Sequence, residues 1–265
     1  MKKILICLML IVLSATTAFG ATASKSKSAK AVDIEMETKD GFVITAKLYT
    51  PPKKKNKKYP LVVLLHSLGY SSKYWGSIPI DFQKAGLAVL TVDFRGHGTS
   101  VNDTKFRKYN WIYMSKNTYS HYPQDVLDLL VYVNDNYKNV AVNRLAFIGA
   151  DIGANTAILA SQKLKAKPVA MVLISPTEKF KGLYTPIAIA NLGQTPILFV
   201  YSAKDSYSKS QTAYLKRFAQ GAYGEKVFPN GGFGMLMLKL NKGMDITLTN
   251  WVVSQFNATF AASKK

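Results

Sequence analysis

The sequence predicts an α/β fold: a mostly parallel sheet with helices on both faces and an antiparallel hairpin at its amino end. Three observations carry this. Leu61–Leu65 and Pro168–Ile174 are continuous apolar runs, as strands buried on both faces require, and they alternate with segments of helical period. Val32–Glu37 and Phe42–Tyr49 instead alternate apolar and polar residues around Lys39-Asp40-Gly41, the pattern of a hairpin with one wet face. Arg144–Leu159 reads as a buried strand, a sharp turn between Gly149 and Gly153, and a helix of small residues.

The elements follow in order. Met1-Lys2-Lys3, the apolar run Ile4–Leu13 and the small residues up to Ala23 have the layout of a secretory signal peptide, with cleavage expected after Gly20 or Ala23. Residues 24–31 are expected to be a disordered Ser/Lys/Ala linker, and 32–265 a single domain. After the hairpin, residues 51–58 form a lysine-rich loop. The strand Leu61–Leu65 follows, then a helix within Trp75–Ala85 and the strand Gly86–Asp93. A glycine-rich loop, Phe94–Ser100, leads into an irregular aromatic stretch up to Ser120. Tyr122–Tyr137 then places Val126, Leu129, Leu130 and Val133 on one helical face. Beyond the central turn come the strand Pro168–Ile174, the loop Ser175–Asn191 and the strand Pro196–Tyr201. A helix over Tyr207–Gln220 precedes the short strand Lys226–Phe228. The loop Asn230–Met237 leads to a closing helix, Met244–Phe260.

Composition narrows the function classes. Cys7 is the only cysteine, so a chain cleaved as predicted carries no thiol and no disulfide. The net charge is +20, and losing Lys2 and Lys3 with the leader leaves +18. Such a chain is drawn to anionic surfaces. Arg95, Arg107, Arg144 and Arg217 are the only arginines. Bidentate recognition of bases and phosphates favours arginine, so the balance speaks against specific nucleic-acid binding.

Four marks stand in one order: His66-Ser67-Leu68-Gly69 after a strand, Asp93-Phe-Arg-Gly-His-Gly98 after the next, Gly149-Ala-Asp-Ile-Gly153, and Asp205 after a later strand. Together they resemble the α/β-hydrolase superfamily, in particular its exported esterase-like or dienelactone-hydrolase-like members, over nearly the whole chain from Val32. The resemblance implies an α/β-hydrolase fold. It places Asp151 at the nucleophile position, Asp205 at the acid position, and Leu68 and Ile152 as donors of the oxyanion-hole amides. The triad mechanism needs serine, acid and histidine in that order. The elbow carries Asp151 instead of serine. Phe233 stands where the histidine is expected, and no histidine follows His121.

The expectation is therefore an exported protein, periplasmic or secreted, whose esterase triad is lost. It would bind an unknown small ligand or an anionic envelope component in the old pocket, with Asp151 facing Asp205 across it. No cofactor, metal or transmembrane segment after signal cleavage is expected. One alternative is an active esterase-type hydrolase in which Asp151 attacks and His121 serves as a relocated base. Another is a basic protein adhering to anionic envelope polymers. Of the remaining histidines, His66 is expected to hold loop backbone and His97 to be structural or solvent-facing.

Overall fold

A computed structural model describes residues 31–262. The predicted leader, and the linker up to residue 30, lie outside the described residues. The described residues hold ten strands and eight α-helices: β1 (Val32–Glu37), β2 (Val43–Tyr49), β3 (Tyr59–Leu65), α1 (Ile78–Lys84), β4 (Ala88–Val92), α2 (Lys116–Ser120), α3 (Tyr122–Asn136), β5 (Val140–Ala150), α4 (Ile152–Ser161), β6 (Ala170–Ile174), β7 (Lys179–Phe180), β8 (Leu183–Tyr184), α5 (Pro186–Ala190), β9 (Ile197–Ser202), α6 (Ser206–Leu215), β10 (Tyr223–Phe228), α7 (Leu236–Leu240) and α8 (Met244–Ala262).

Eight strands make one sheet in the order β1-β2-β4-β3-β5-β6-β9-β10. The hairpin β1–β2 is antiparallel and joins β4 antiparallel; every other pairing in the sheet is parallel. The apolar runs explain the two covered faces. Along β3, Leu61, Val63 and Leu65 enter one core while Val62 and Leu64 enter the other, because successive side chains alternate across a strand. The first core is closed by Tyr122, Val126 and Leu129 of α3, Ile152 and Ala157 of α4, and Leu215 of α6. The second is closed by Ile78 and Phe82 of α1 and Leu248, Val252 and Phe256 of α8.

The structure differs from the sequence expectation mainly in the loops. The loop Ser175–Asn191 contains the small hairpin β7–β8 and the helix α5, and the end of the loop after β10 runs into α7. Strand β5 starts five residues before Leu145, and its pairing with β3 shifts register between Pro60 and Leu61. Helix α6 stops at Leu215, short of Gln220. Because the central strands are parallel, their carboxyl ends open on one edge of the sheet. The segments that begin at His66, Asp93, Asp151, Ser175 and Ala203 therefore meet there, at the usual ligand-binding edge of such sheets.

Candidate active site

Asp151 sits between the last residue of β5 and the first of α4. Its backbone is at φ 53°, ψ −118°, outside the regions that ordinary side chains occupy. The turn is held from both sides: the Asp151 N–H donates to Ile174 O at 2.8 Å, and its carbonyl accepts from the amides of Ala154 and Asn155. The two glycines have a steric cause. A Cβ on Gly149 would lie 2.4 Å from Gly153 O, and one on Gly153 would lie 2.2 Å from Leu65 O. Helix α4 thus starts in direct backbone contact with β5 and with the end of β3.

The Asp151 side chain turns toward the loop after β3. Its Oδ2 accepts the Leu68 N–H at 3.1 Å, and the Ile152 amide, one residue on, also favours the charged carboxylate. The amides expected as oxyanion-hole donors thus both act on the Asp151 carboxylate, Leu68 through a hydrogen bond. Asp151 is 3% exposed, and its Oδ1 is buried with no hydrogen-bond partner. Burial pushes the carboxyl up to about 6, while the two amides and the more distant Lys181 pull the other way without offsetting it.

The loop after β10 closes over this point. Gly234 N–H donates to Ser175 Oγ at 3.0 Å, and Met235 N–H donates to Ser67 Oγ at 2.9 Å. A Cβ on Gly234 would come within 2.3 Å of Ser67 Oγ and 3.1 Å of the Asp151 Cβ. Backbone fills the region above the carboxylate, beside the half-buried Phe233. A cleft of about 830 Å³ runs alongside, between residues 69–78 and 235–246; Tyr70, Tyr74, Leu236 and Ile246 line it, and Asp151 does not.

None of the three histidines offers Asp151 a base. His66 Nδ1–H donates to Ser67 O at 2.8 Å and Nε2 accepts the Phe94 N–H at 3.1 Å. His97 Nδ1–H donates to Arg95 O at 2.9 Å and Nε2 accepts the Gly69 N–H at 3.0 Å. These bonds assign each ring as the neutral Nδ1–H form with both nitrogens engaged. Burial accordingly pushes His66 down to about 3 and lowers His97. His97 is thus a buried brace rather than a solvent-facing residue. His121 corrects the relocated-base alternative. It is half exposed, with Nδ1 3.9 Å from Asp40 Oδ2, in a separate recess shared with Phe42 and Tyr109.

Asp205 also departs from the expected arrangement. Both of its oxygens are engaged at the start of α6, where Oδ1 accepts Ser208 N–H at 3.0 Å and Oδ2 accepts Ser208 Oγ–H at 2.5 Å. The carboxylate caps its helix instead of facing Asp151. Among the described residues, no group of three or more His, Cys, Asp or Glu could hold a metal ion.

A family model for the alpha/beta hydrolase family matches residues 62–239, more than half of the chain. The chain belongs to the alpha/beta hydrolase family. This alpha/beta hydrolase resembles several solved structures. A dienelactone hydrolase from Anabaena variabilis matches with a TM-score of 0.63 and 14% identity over 87% of this chain and 98% of that one. A cold-adapted esterase from an Arctic intertidal metagenomic library matches with a TM-score of 0.64 and 13% identity, over 86% and 95%. The Pyrococcus furiosus esterase Pf2001 matches with a TM-score of 0.62 and 17% identity, over 86% and 90%. At these identities the likeness establishes the fold. No curated protein matches the sequence.

Three residues that shape this hydrolase-fold site were given no role in the sequence, although Ser67 lies inside the first motif. Ser67, Ser175 and Gly234 together seal Asp151 away from solvent. Ser175 sits at φ 48° directly after β6, and a serine following a buried strand was the only sequence signal for it.

Proposed function

We propose that this protein is an exported, catalytically silent alpha/beta hydrolase that acts by binding. The observation that carries the reading is the Asp151 carboxylate lodged on the Leu68 amide, beside the Ile152 amide. An acyl-transfer site uses such amides to stabilise the negative oxygen of the transition state. Here a resident carboxylate accepts the first and stands against the second. An ionised Asp151 would also repel an incoming oxyanion, and its neutral form is a poor nucleophile. No histidine stands ready to take a proton or activate water. The adjoining cleft of about 830 Å³, with its tyrosine and aliphatic walls, is the space a ligand would use.

The purified chain is expected to hydrolyse activated short-chain esters no faster than an equally basic control protein. Saturable turnover that Asp151→Asn abolishes would show an active aspartate enzyme and sink the reading. Export rests on the charged, apolar and small-residue blocks of residues 1–23. Protein recovered from outside the cytoplasm should begin at Ala21 or Ser24; an intact Met1 would contradict it.

A further inference from the structure

A cluster of lysines lies at the opposite edge of the sheet from Asp151. The loop 51–58 precedes β3 and the turn 137–139 precedes β5, so both sit at the amino ends of parallel strands. Between them runs a groove of about 560 Å³ lined by Lys53, Lys54, Lys55, Lys57, Lys58 and Lys138. Asn56, Asn136, Asn139 and Tyr137 complete the wall, and no carboxylate lines it. Asp135, beside Asn136 in sequence, accepts a hydrogen bond from Asn134 Nδ2 at 3.1 Å. Among the described residues none of the six lysines has an ion pair.

The backbone that carries these cations is held in place. Pro51 and Pro52 stiffen the start of the loop. Lys57 N–H closes a turn on Lys54 O at 3.2 Å, with Asn56 at φ 58°. Tyr59 ties the base: its hydroxyl donates to Pro52 O at 2.7 Å, and its N–H donates to Asn139 O at 2.8 Å. The second bond fixes the loop against the turn that carries Lys138. Like charges gathered this way repel one another, and an anionic partner relieves that repulsion.

We propose that this groove binds a linear polyanion whose charges are phosphates and which carries no bases. The chemistry of the walls selects that class. A groove with amide side chains suits a chain more than a flat bilayer. Its lining also lacks the Leu, Phe or Trp that would insert into lipid. Arginine is absent from it, and its single aromatic, Tyr137, is partly buried, which leaves little for base readout or stacking. Lysine ammonium groups are strongly hydrated point charges suited to a flexible phosphate backbone.

The test uses the chain with medium-length inorganic polyphosphate as the probe. Affinity should fall linearly with salt on a log–log plot, because bound phosphates release counterions. Replacing Lys53, Lys54, Lys55, Lys57 and Lys58 with Gln should lower affinity at least about tenfold at fixed salt. Replacing five exposed lysines elsewhere (Lys116, Lys179, Lys204, Lys209 and Lys226) changes net charge equally and should lower it far less. The double variant Lys54→Gln/Lys55→Gln gives a smaller loss in the same direction and guards against misfolding of the fivefold variant. Equal losses in the two fivefold variants, or no polyphosphate binding at all, would overturn the proposal. So would tighter binding to phosphatidylglycerol vesicles or to a single-stranded oligonucleotide than to polyphosphate.

Discussion

The position of Asp151 was legible because glycine spacing is a steric demand, and Gly149 and Gly153 meet that demand against Gly153 O and Leu65 O. Its state was only partly legible. The replacement of serine is visible in the sequence, but not the way the carboxylate turns onto the amides of Leu68 and Ile152, or its burial beneath Gly234. Those depend on a loop more than eighty residues away. The burial has a consequence for stability. A carboxyl raised from its ordinary 3.8 to about 6 binds its proton more tightly in the folded state, so its stabilising effect is present below about pH 4 and is lost as pH rises through 6. Asp151→Asn removes that titration. At pH 8 the variant should gain up to about 3 kcal/mol over the natural chain, falling toward zero near pH 4. Urea unfolding at the two pH values measures this, and a gain that does not change with pH would contradict the cause given.

Among the elements, the long ones were readable and the short ones were not. Strands such as β3 and β6, and helix α3, have enough residues for a period to show. Helices α5 and α7 have five residues each, too few to separate a helical turn from an apolar loop. The amino half of β5 carries Asn143 and Arg144, which interrupt the apolar run, so only Leu145 onward read as strand. Side-chain clamps between elements were also hidden. Arg95 donates twice to Asp125 of α3, from Nε and Nη2 at 2.7 Å each, and also bonds Asp40 in the hairpin turn, pinning the loop after β4 between them. Asp40 is held well below the usual carboxylate range by that guanidinium. Arg95→Leu leaves Asp125 buried without its partner, and a loss of about 3–5 kcal/mol in chemical unfolding is expected. Adding Asp125→Leu should recover much of it; a double variant as unstable as the single would mean the pair is not the source.

Across the whole molecule, the alternation of buried strands and helices predicted the parallel sheet, and the motif order predicted the family. The strand order could not be read in the same way. Placing β3 between β4 and β5 depends on crossovers between segments whose apolar runs look alike. The same topology separates two regions, the plugged site at the carboxyl edge of the sheet and the lysine groove at its amino edge. The charge was evident from composition, but its concentration against the 137–139 turn was not. The central claim concerns the first region: the amides of Leu68 and Ile152 form an anion site that the chain fills with its own side chain. Asp151→Gly removes a group with the composition of acetate, and glycine also suits the φ of 53°. Thermal unfolding with increasing acetate, at constant ionic strength with chloride as the counterweight, tests it most directly. The account predicts that acetate raises the melting temperature of Asp151→Gly in a saturable way and leaves the natural chain unmoved. An equal response in both proteins, or none in the variant, would contradict it.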